Sequence, residues 1–474
     1  MQAPTRPEDA GGHHPQSVPG AGSELPARGE YVVRNAHVIT MDETLGEIED
    51  GDVHVRDGAI VAVGRGLEAP DAETIRGDGL IALPGFIETH WHMWGAVARN
   101  MSGHVEGTGY YYVSRLLGKF FTPQNNACGV RLALAEGLYS GITTVNNWSH
   151  NLLDPGYADA EMRAHLAAGG RACFSYGYSR KTPKDSTLPL EDIADFQDRW
   201  FKGGTRTPDG LISLAIAPRG PENNPIETCA TEWEFARARG IRVTSHMGTN
   251  PKRVDDRQGI QTLAKAGLLG PDLLLIHVTH HSDEDLRLLA ETQTPVSLSP
   301  YTELRTGFGI TPVGKFLEAG VPVSLSVDTT ILCGNADMFA IMKAIENIEN
   351  GRIEDEFAIS SERVLEMATI NGARALGIDD QVGSLTPGKR ADLILVRTTD
   401  VNMMPKTVPT RMLVQSAEPN NIETVMVDGR LLKKGGRLTT IDLDDLVKET
   451  AETIERARVE ASVPGAGEGI QELI

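Results

Sequence analysis

The sequence predicts an α/β fold: a (β/α)8 TIM barrel with a small β-sandwich built from N- and C-terminal segments. Three observations carry this. Between about Pro84 and Gly377, short apolar strand-like runs alternate with helical patterns, the order that gives a parallel sheet. β-rich runs broken by Asp and Gly lie on both sides of that stretch. Finally, 474 residues are too many for one small domain but suit one large barrel plus a smaller module.

The elements follow in chain order. Residues 1–29 are rich in Pro, Gly and Ala and read as a disordered tail, with His13 and His14 solvated rather than ligating. Runs at 31–40 and 51–58 are β-rich. Asp57-Gly58 is a hairpin signal, and 59–63 supplies the returning strand. Similar runs recur at 391–396 and 425–430, so residues 30–83 and 385–440 are expected to pair in one β-sandwich domain. Residues 84–384 form the expected barrel. Its strands include 143–145, 211–216, 241–245, 273–276, 295–298 and 323–327, each short and apolar as strands buried on both faces should be. Helical patterns at 126–140, 227–239 and 311–319 lie among them. Residues 441–474 read as a charged terminal helix, over 442–458, and a tail.

Composition narrows the partners. The formal net charge is −20, which argues against nucleic acid or an anionic membrane, since both need a basic surface. Cys128, Cys173, Cys229 and Cys333 lie far apart and form no CxxC pair. They suggest neither a disulfide framework nor a cysteine zinc site, and a cytoplasmic location is the expectation. No apolar run is long enough for a membrane span, and no secretory signal is expected at the N-terminus.

The chemistry lies at strand ends, where barrel enzymes build their active sites. His90 and His92 close the segment Pro84-Gly-Phe-Ile-Glu-Thr-His-Trp-His92. Residues i and i+2 of a strand share a face, roughly 6–7 Å apart along the chain, so both imidazoles can grip one ion. An HxH pair alone fits surface or core histidines equally well. His246 ends the run 243–246, His277 ends 274–277, and Asp328 ends 324–328. Singly, each could cap a strand. An Asp closing an apolar run is costly to bury unless it is paired or bound to a metal. Three His and one Asp make a site of three nitrogens and one oxygen with room for a water.

That order, HxH, His, His, Asp on strands 1, 5, 6 and 8 after Pro-Gly-Phe-Ile, resembles the amidohydrolase superfamily. The subgroup it looks like holds the adenosine- and S-adenosylhomocysteine-type deaminases and the triazine hydrolases. Gly141-Ile-Thr-Thr-Val145, Gly309-Ile-Thr-Pro-Val313 and the run 383–393 extend the resemblance, which covers roughly residues 31–440. It implies His90, His92, His246 and Asp328 as ligands of one divalent metal ion, zinc first, with iron or manganese as alternatives. The metal would lower the pKa of its water from ~15.7 towards ~7. Asp328 would take the water's proton, and His277 would orient the nucleophile and polarise the substrate. No lysine able to bridge two metals stands at the end of strand 4, which favours one ion. A homodimer or higher homo-oligomer is also implied.

The chain departs from the subgroup at three positions. Its deaminases carry a Glu three residues after the strand-5 His, where this chain has Thr249. A hydroxyl does not titrate near neutral pH. Either another carboxylate substitutes, or the reaction needs no ring-nitrogen protonation. At the end of strand 4 the chain has Arg219, a planar fork suited to an anionic substrate group or to a salt bridge with Glu222. Glu303 stands after strand 7 where relatives commonly have Asn; it is read as a replacement acid or as the partner of Arg305. Trp91, Trp94 and Tyr110 to Tyr112 are expected pocket walls, or packing against a neighbouring subunit. His281, His280, His150 and His104 are candidate contacts in and around the site.

The expected function is a metal-dependent hydrolase that attacks an sp2 carbon and cleaves a C–N bond of a small, heterocyclic or aromatic substrate. Loss of halide or alkylthio from a ring, or a lyase or hydratase reaction, are the alternatives. A binding protein that has lost its chemistry is disfavoured by the intact ligand set.

Overall fold

The structure, a computed structural model, describes residues 25–103 and 105–462. Eight parallel strands form the central sheet: β1 (Phe86–Trp91), β2 (Ile142–Ser149), β3 (Arg171–Gly177), β4 (Ile212–Ala217), β5 (Arg242–Met247), β6 (Leu273–His277), β7 (Val296–Leu298) and β8 (Val323–Leu325). The sheet closes where β1 meets the end of β8. The His92 N–H donates to the Asp328 carbonyl at 2.6 Å and the Asp328 N–H to the His90 carbonyl at 2.8 Å, so the expected barrel is the observed one. Every residue of β1, β2 and β3 is buried, as a sheet wrapped by helices requires.

The helices start where capping chemistry allows. Thr122 and Asn125 form a reciprocal capping box ahead of Pro123–Tyr139, and Ser282 with Asp285 does the same for Asp283–Thr292, each satisfying two otherwise orphaned donors. The patterns at 126–140, 227–239 and 311–319 correspond to Pro123–Tyr139, Ile226–Ala238 and Val313–Ala319. The apolar pattern of the sequence does not mark β3. Arg171 and Ser175 obscure its apolar character, yet both are buried.

The end segments pair as expected, in the order of one continuous sheet. Leu80–Pro84 lies between Tyr31–Ile39 and Leu393–Arg397, with Glu47–Arg56 and Ala59–Gly64 on one side, Ile422–Val427 and Arg430–Lys434 on the other. Asp57 and Gly58 both have positive φ, the twist of a two-residue hairpin turn. The sandwich arises because this sheet curls over. Ile60 N–H donates to Lys389 O, and Gly388 N–H donates to Ile60 O, both at 2.8 Å. Val33, Val53, Leu393, Leu395 and Met426 form the core inside. Leu80–Pro84 then runs through Gly85 directly into β1. A Cβ on Gly85 would stand 2.1 Å from the Thr143 side chain, so only glycine lets β1 and β2 approach this closely.

The expected tail over 1–29 is corrected at its end. From residue 25 the chain is docked: Gly29 N–H donates to Gly429 O at 3.2 Å, and Arg28 pairs with Asp428 at 2.5 Å. His13, His14 and the rest of 1–24 lie outside the described residues, as do His104 and the terminal stretch 463–474. The terminal helix spans Leu443–Glu460 and places Ala457 in a cluster with Trp94, Val113, Phe121 and Ile331. Among the described residues, no helix is long and apolar enough to cross a membrane.

Candidate metal centre

Four predicted residues converge at the C-terminal ends of the strands. One ligand atom from each of His90, His92, His246 and Asp328 lies within 4.8 Å of the other three. Asp328 Oδ1 is 3.1 Å from His90 Nε2 and 3.3 Å from His92 Nε2. His246 Nε2 is 3.2 Å from His90 Nε2. Burial holds the pKa of all three histidines well below the ordinary value, so the rings are neutral and offer lone pairs. Two neutral ring nitrogens facing each other at 3.2 Å need a shared cation or proton between them. A divalent ion held by three nitrogens and one carboxylate oxygen fits this donor set.

The surroundings aim these donors. His92 Nδ1 donates to the Trp148 carbonyl at 3.0 Å, which leaves Nε2 to face the centre. Glu88 accepts from the His90 N–H at 2.8 Å and the Val327 N–H at 3.1 Å through one oxygen, tying β1 to the end of β8. Burial pushes its carboxyl up to about 8. Asp328 and His277 both have left-handed backbones, φ 64° and 74°, an unfavourable conformation of the kind that collects at functional sites.

His277 stands next to the four rather than among them. Its Nε2 is 3.8 Å from Asp328 Oδ2, and its Nδ1 is 3.1 Å from Glu303 Oε1. Burial alone would lower its pKa, but the Glu303 hydrogen bond and the Asp328 charge raise it. Burial raises the pKa of Asp328 although three histidines counter it.

The remaining predicted residues divide. Thr249 is half-buried just beyond β5. Glu303 does not pair with Arg305 but meets His277, which makes it a partner of the site rather than a substrate contact. Arg219 does not bridge to Glu222. It donates to the carbonyls of Pro183 and Thr182 at 2.7 and 2.8 Å and covers the Tyr178 ring at 4.5 Å. Glu222 instead accepts from the Gly248 N–H. Trp91 is not a pocket wall. It alternates with His90 and His92 along β1, so it points outward and packs by Gly137 of the helix Pro123–Tyr139. His281 also points away: its ring lies 4.7 Å from Phe316, outside the barrel. His280 anchors the Phe308 carbonyl at 2.6 Å. Trp94 donates to His150 Nδ1 at 3.3 Å, and the His150 ring lies 4.3 Å from His92. Trp94 thus reaches the centre through His150.

Sequence reasoning missed several aromatics around the centre. The Trp148 ring is 4.4 Å from His246 and 5.8 Å from Tyr178, and Phe308 lies 5.3 Å from His277. Trp148 was findable, because the period of two along Asn146-Asn-Trp-Ser-His150 puts Asn146, Trp148 and His150 on one face. Phe308 and Tyr178 sit on loops and carry no such signal. Tyr110 is half-buried against the cluster of Trp94, Val113 and Phe121, with its ring 5.3 Å from that of Tyr111.

A family model described as the amidohydrolase family matches residues 81–432. A 5'-deoxyadenosine deaminase from Methanosarcina acetivorans is 27% identical over 441 residues, covering 90% of this chain and 98% of that one. A 5-methylthioadenosine/S-adenosylhomocysteine deaminase from Desulforamulus reducens is 27% identical over 439 residues, with 90% and 98% covered. Among solved structures, an adenosine deaminase from Xanthomonas campestris with bound zinc superposes with a TM-score of 0.82 at 23% identity, covering 92% of this chain and 100% of that one. An atrazine chlorohydrolase from Arthrobacter aurescens complexed with zinc gives 0.81 at 23% identity, with 90% and 100% covered.

Proposed function

The chain belongs to the amidohydrolase family, and on that premise we propose that it is a mononuclear metal hydrolase of a small heterocyclic substrate. Water attacks an sp2 ring carbon that carries a nitrogen leaving group, and ammonia or an amine departs. The observation that carries this reading is the convergence of His90, His92, His246 and Asp328, with His277 beside Asp328. The similarity to deaminases of adenine nucleosides supports the substrate class, and the aromatic rings of Trp148, Tyr178 and Phe308 suit a flat heterocycle.

His90, His92, His246 and Asp328 would hold the ion, with zinc proposed because two fold neighbours were crystallised with it. When bound, such an ion supplies Lewis acidity that makes water a nucleophile near neutral pH. The two oxygens of Asp328 divide the work. Oδ1 faces His90 and His92, and Oδ2 faces His277, free to take a proton from the attacking water. His277 Nε2 orients that water by accepting a hydrogen bond from it. Thr249 contributes a hydroxyl contact rather than an acid. Arg219 acts on the substrate side by holding the loop of Tyr178, Thr182 and Pro183.

A second reading rests on Thr249 and on the chlorohydrolase neighbour: without an acid at that position, the same centre expels halide or alkylthio from a ring. Ammonia release from aminated purines, pyrimidines and triazines by the zinc-loaded protein tests the first reading. Halide or thiol release without ammonia selects the second, and a product of unchanged composition points to a lyase. The four cysteines are free, which supports a cytoplasmic setting, and light scattering tests the proposed homo-oligomer.

A further inference from the structure

Glu303 is 1% exposed, so its carboxylate is costly to bury unless donors meet it. Three do. Oε1 lies 3.1 Å from His277 Nδ1 and accepts from the Ser299 N–H at 2.8 Å. Oε2 accepts from the Thr311 hydroxyl at 2.8 Å. These partners come from the end of β6, the end of β7 and the loop after the helix Pro300–Thr306, so three segments meet on one carboxylate. An ionised carboxylate only accepts hydrogen bonds, so the ring nitrogen facing it carries the proton. The other nitrogen, Nε2, lies 3.8 Å from Asp328 Oδ2. His277 needs such support, since its own φ of 74° and the φ of 49° at Val278 are left-handed for non-glycine residues.

We propose that Glu303 is a positioning residue for the hydrolysis: it fixes His277 as the Nδ1–H tautomer and turns Nε2 towards the water position beside Asp328. This rests on the reading of His277 as the residue that faces the attacking water. The Ser299 N–H adds specificity. It keeps an oxygen, not an amide nitrogen, at the ring side of residue 303, so glutamine there preserves the tautomer and alanine does not.

The test uses the full zinc-loaded chain with nitrogen-15-labelled histidine. The His277 ring signals are identified by their loss in His277→Asn. In the wild type, Nδ1 is expected to be protonated and Nε2 unprotonated. Glu303→Gln is expected to retain that pattern and to keep kcat within about tenfold. Glu303→Ala is expected to show mixed tautomers and a kcat lowered about 10²–10⁴-fold, the usual range for a misplaced acid–base group, with KM little changed. A wild-type His277 protonated at Nε2 overturns the proposal, and so does Glu303→Ala with unaltered ring signals and kcat. If Glu303→Ala does not fold, the wild-type and Glu303→Gln spectra decide alone. Absence of turnover by the wild type would count against the functional reading only, because the tautomer is read without substrate.

Discussion

Trp91 sits between two histidines of the proposed metal centre and faces the other way. The pleat of β1 sends His90 and His92 inward and Trp91 into the helix layer. Trp91→Phe is therefore expected to leave kcat and KM within about twofold, as substitutions away from a site do. It should cost stability by about 1–3 kcal/mol through a partly filled cavity, read as a lower melting temperature. Asp328→Asn should do the opposite. Its size and one ligand oxygen remain, but the acceptor for the water's proton is gone, and kcat should fall about 10²–10⁴-fold. Elemental analysis of the same variant checks that metal is retained. Equal kcat in wild type and Asp328→Asn would remove Asp328 from the proton's path. The four residues of the proposed centre were legible because each stands at the end of a strand-like run. Glu303's partner was not, because His277 and Glu303 are joined only by folding β6 beside β7.

Between elements, the buried pair Arg171–Asp392 links the start of β3 to the end sheet, at 2.7 and 3.0 Å. Both side chains are nearly inaccessible, 4% and 1% exposed. Removing one partner leaves an uncompensated charge, so Arg171→Met should cost about 3–5 kcal/mol in denaturant unfolding. A second substitution, Asp392→Asn, should restore part of the loss, and no recovery would show that the pair is not the cause. Strand periodicity announced most barrel strands, yet this same arginine hid β3. An Arg at a strand start reads as a loop until its carboxylate is known, and that carboxylate lies 221 residues away.

Across the whole molecule, the end sheet is closed by charge as well as by apolar packing. Burial alone would raise the pKa of Asp428, but hydrogen bonds from Arg28 and Arg390 hold it below the usual carboxylate range. A depressed folded pKa contributes stability that is full above the unfolded value, about 3.9, and is lost as pH falls through the folded value. Unfolding free energy should accordingly fall from about pH 5 downward, and Asp428→Asn should flatten that acid limb. An unchanged limb would show that other carboxylates dominate it. The sequence by itself determined the barrel, the pairing of its two flanking segments and the strand-end placement of His90, His92, His246 and Asp328, because periodicity and strand-end position are local properties of the chain. Only the tertiary structure decided that the sandwich is one curled sheet, that Trp91 and His281 face away from the centre, and that Glu303 serves His277. Those facts depend on which distant segments share a face, and a linear pattern carries no record of that.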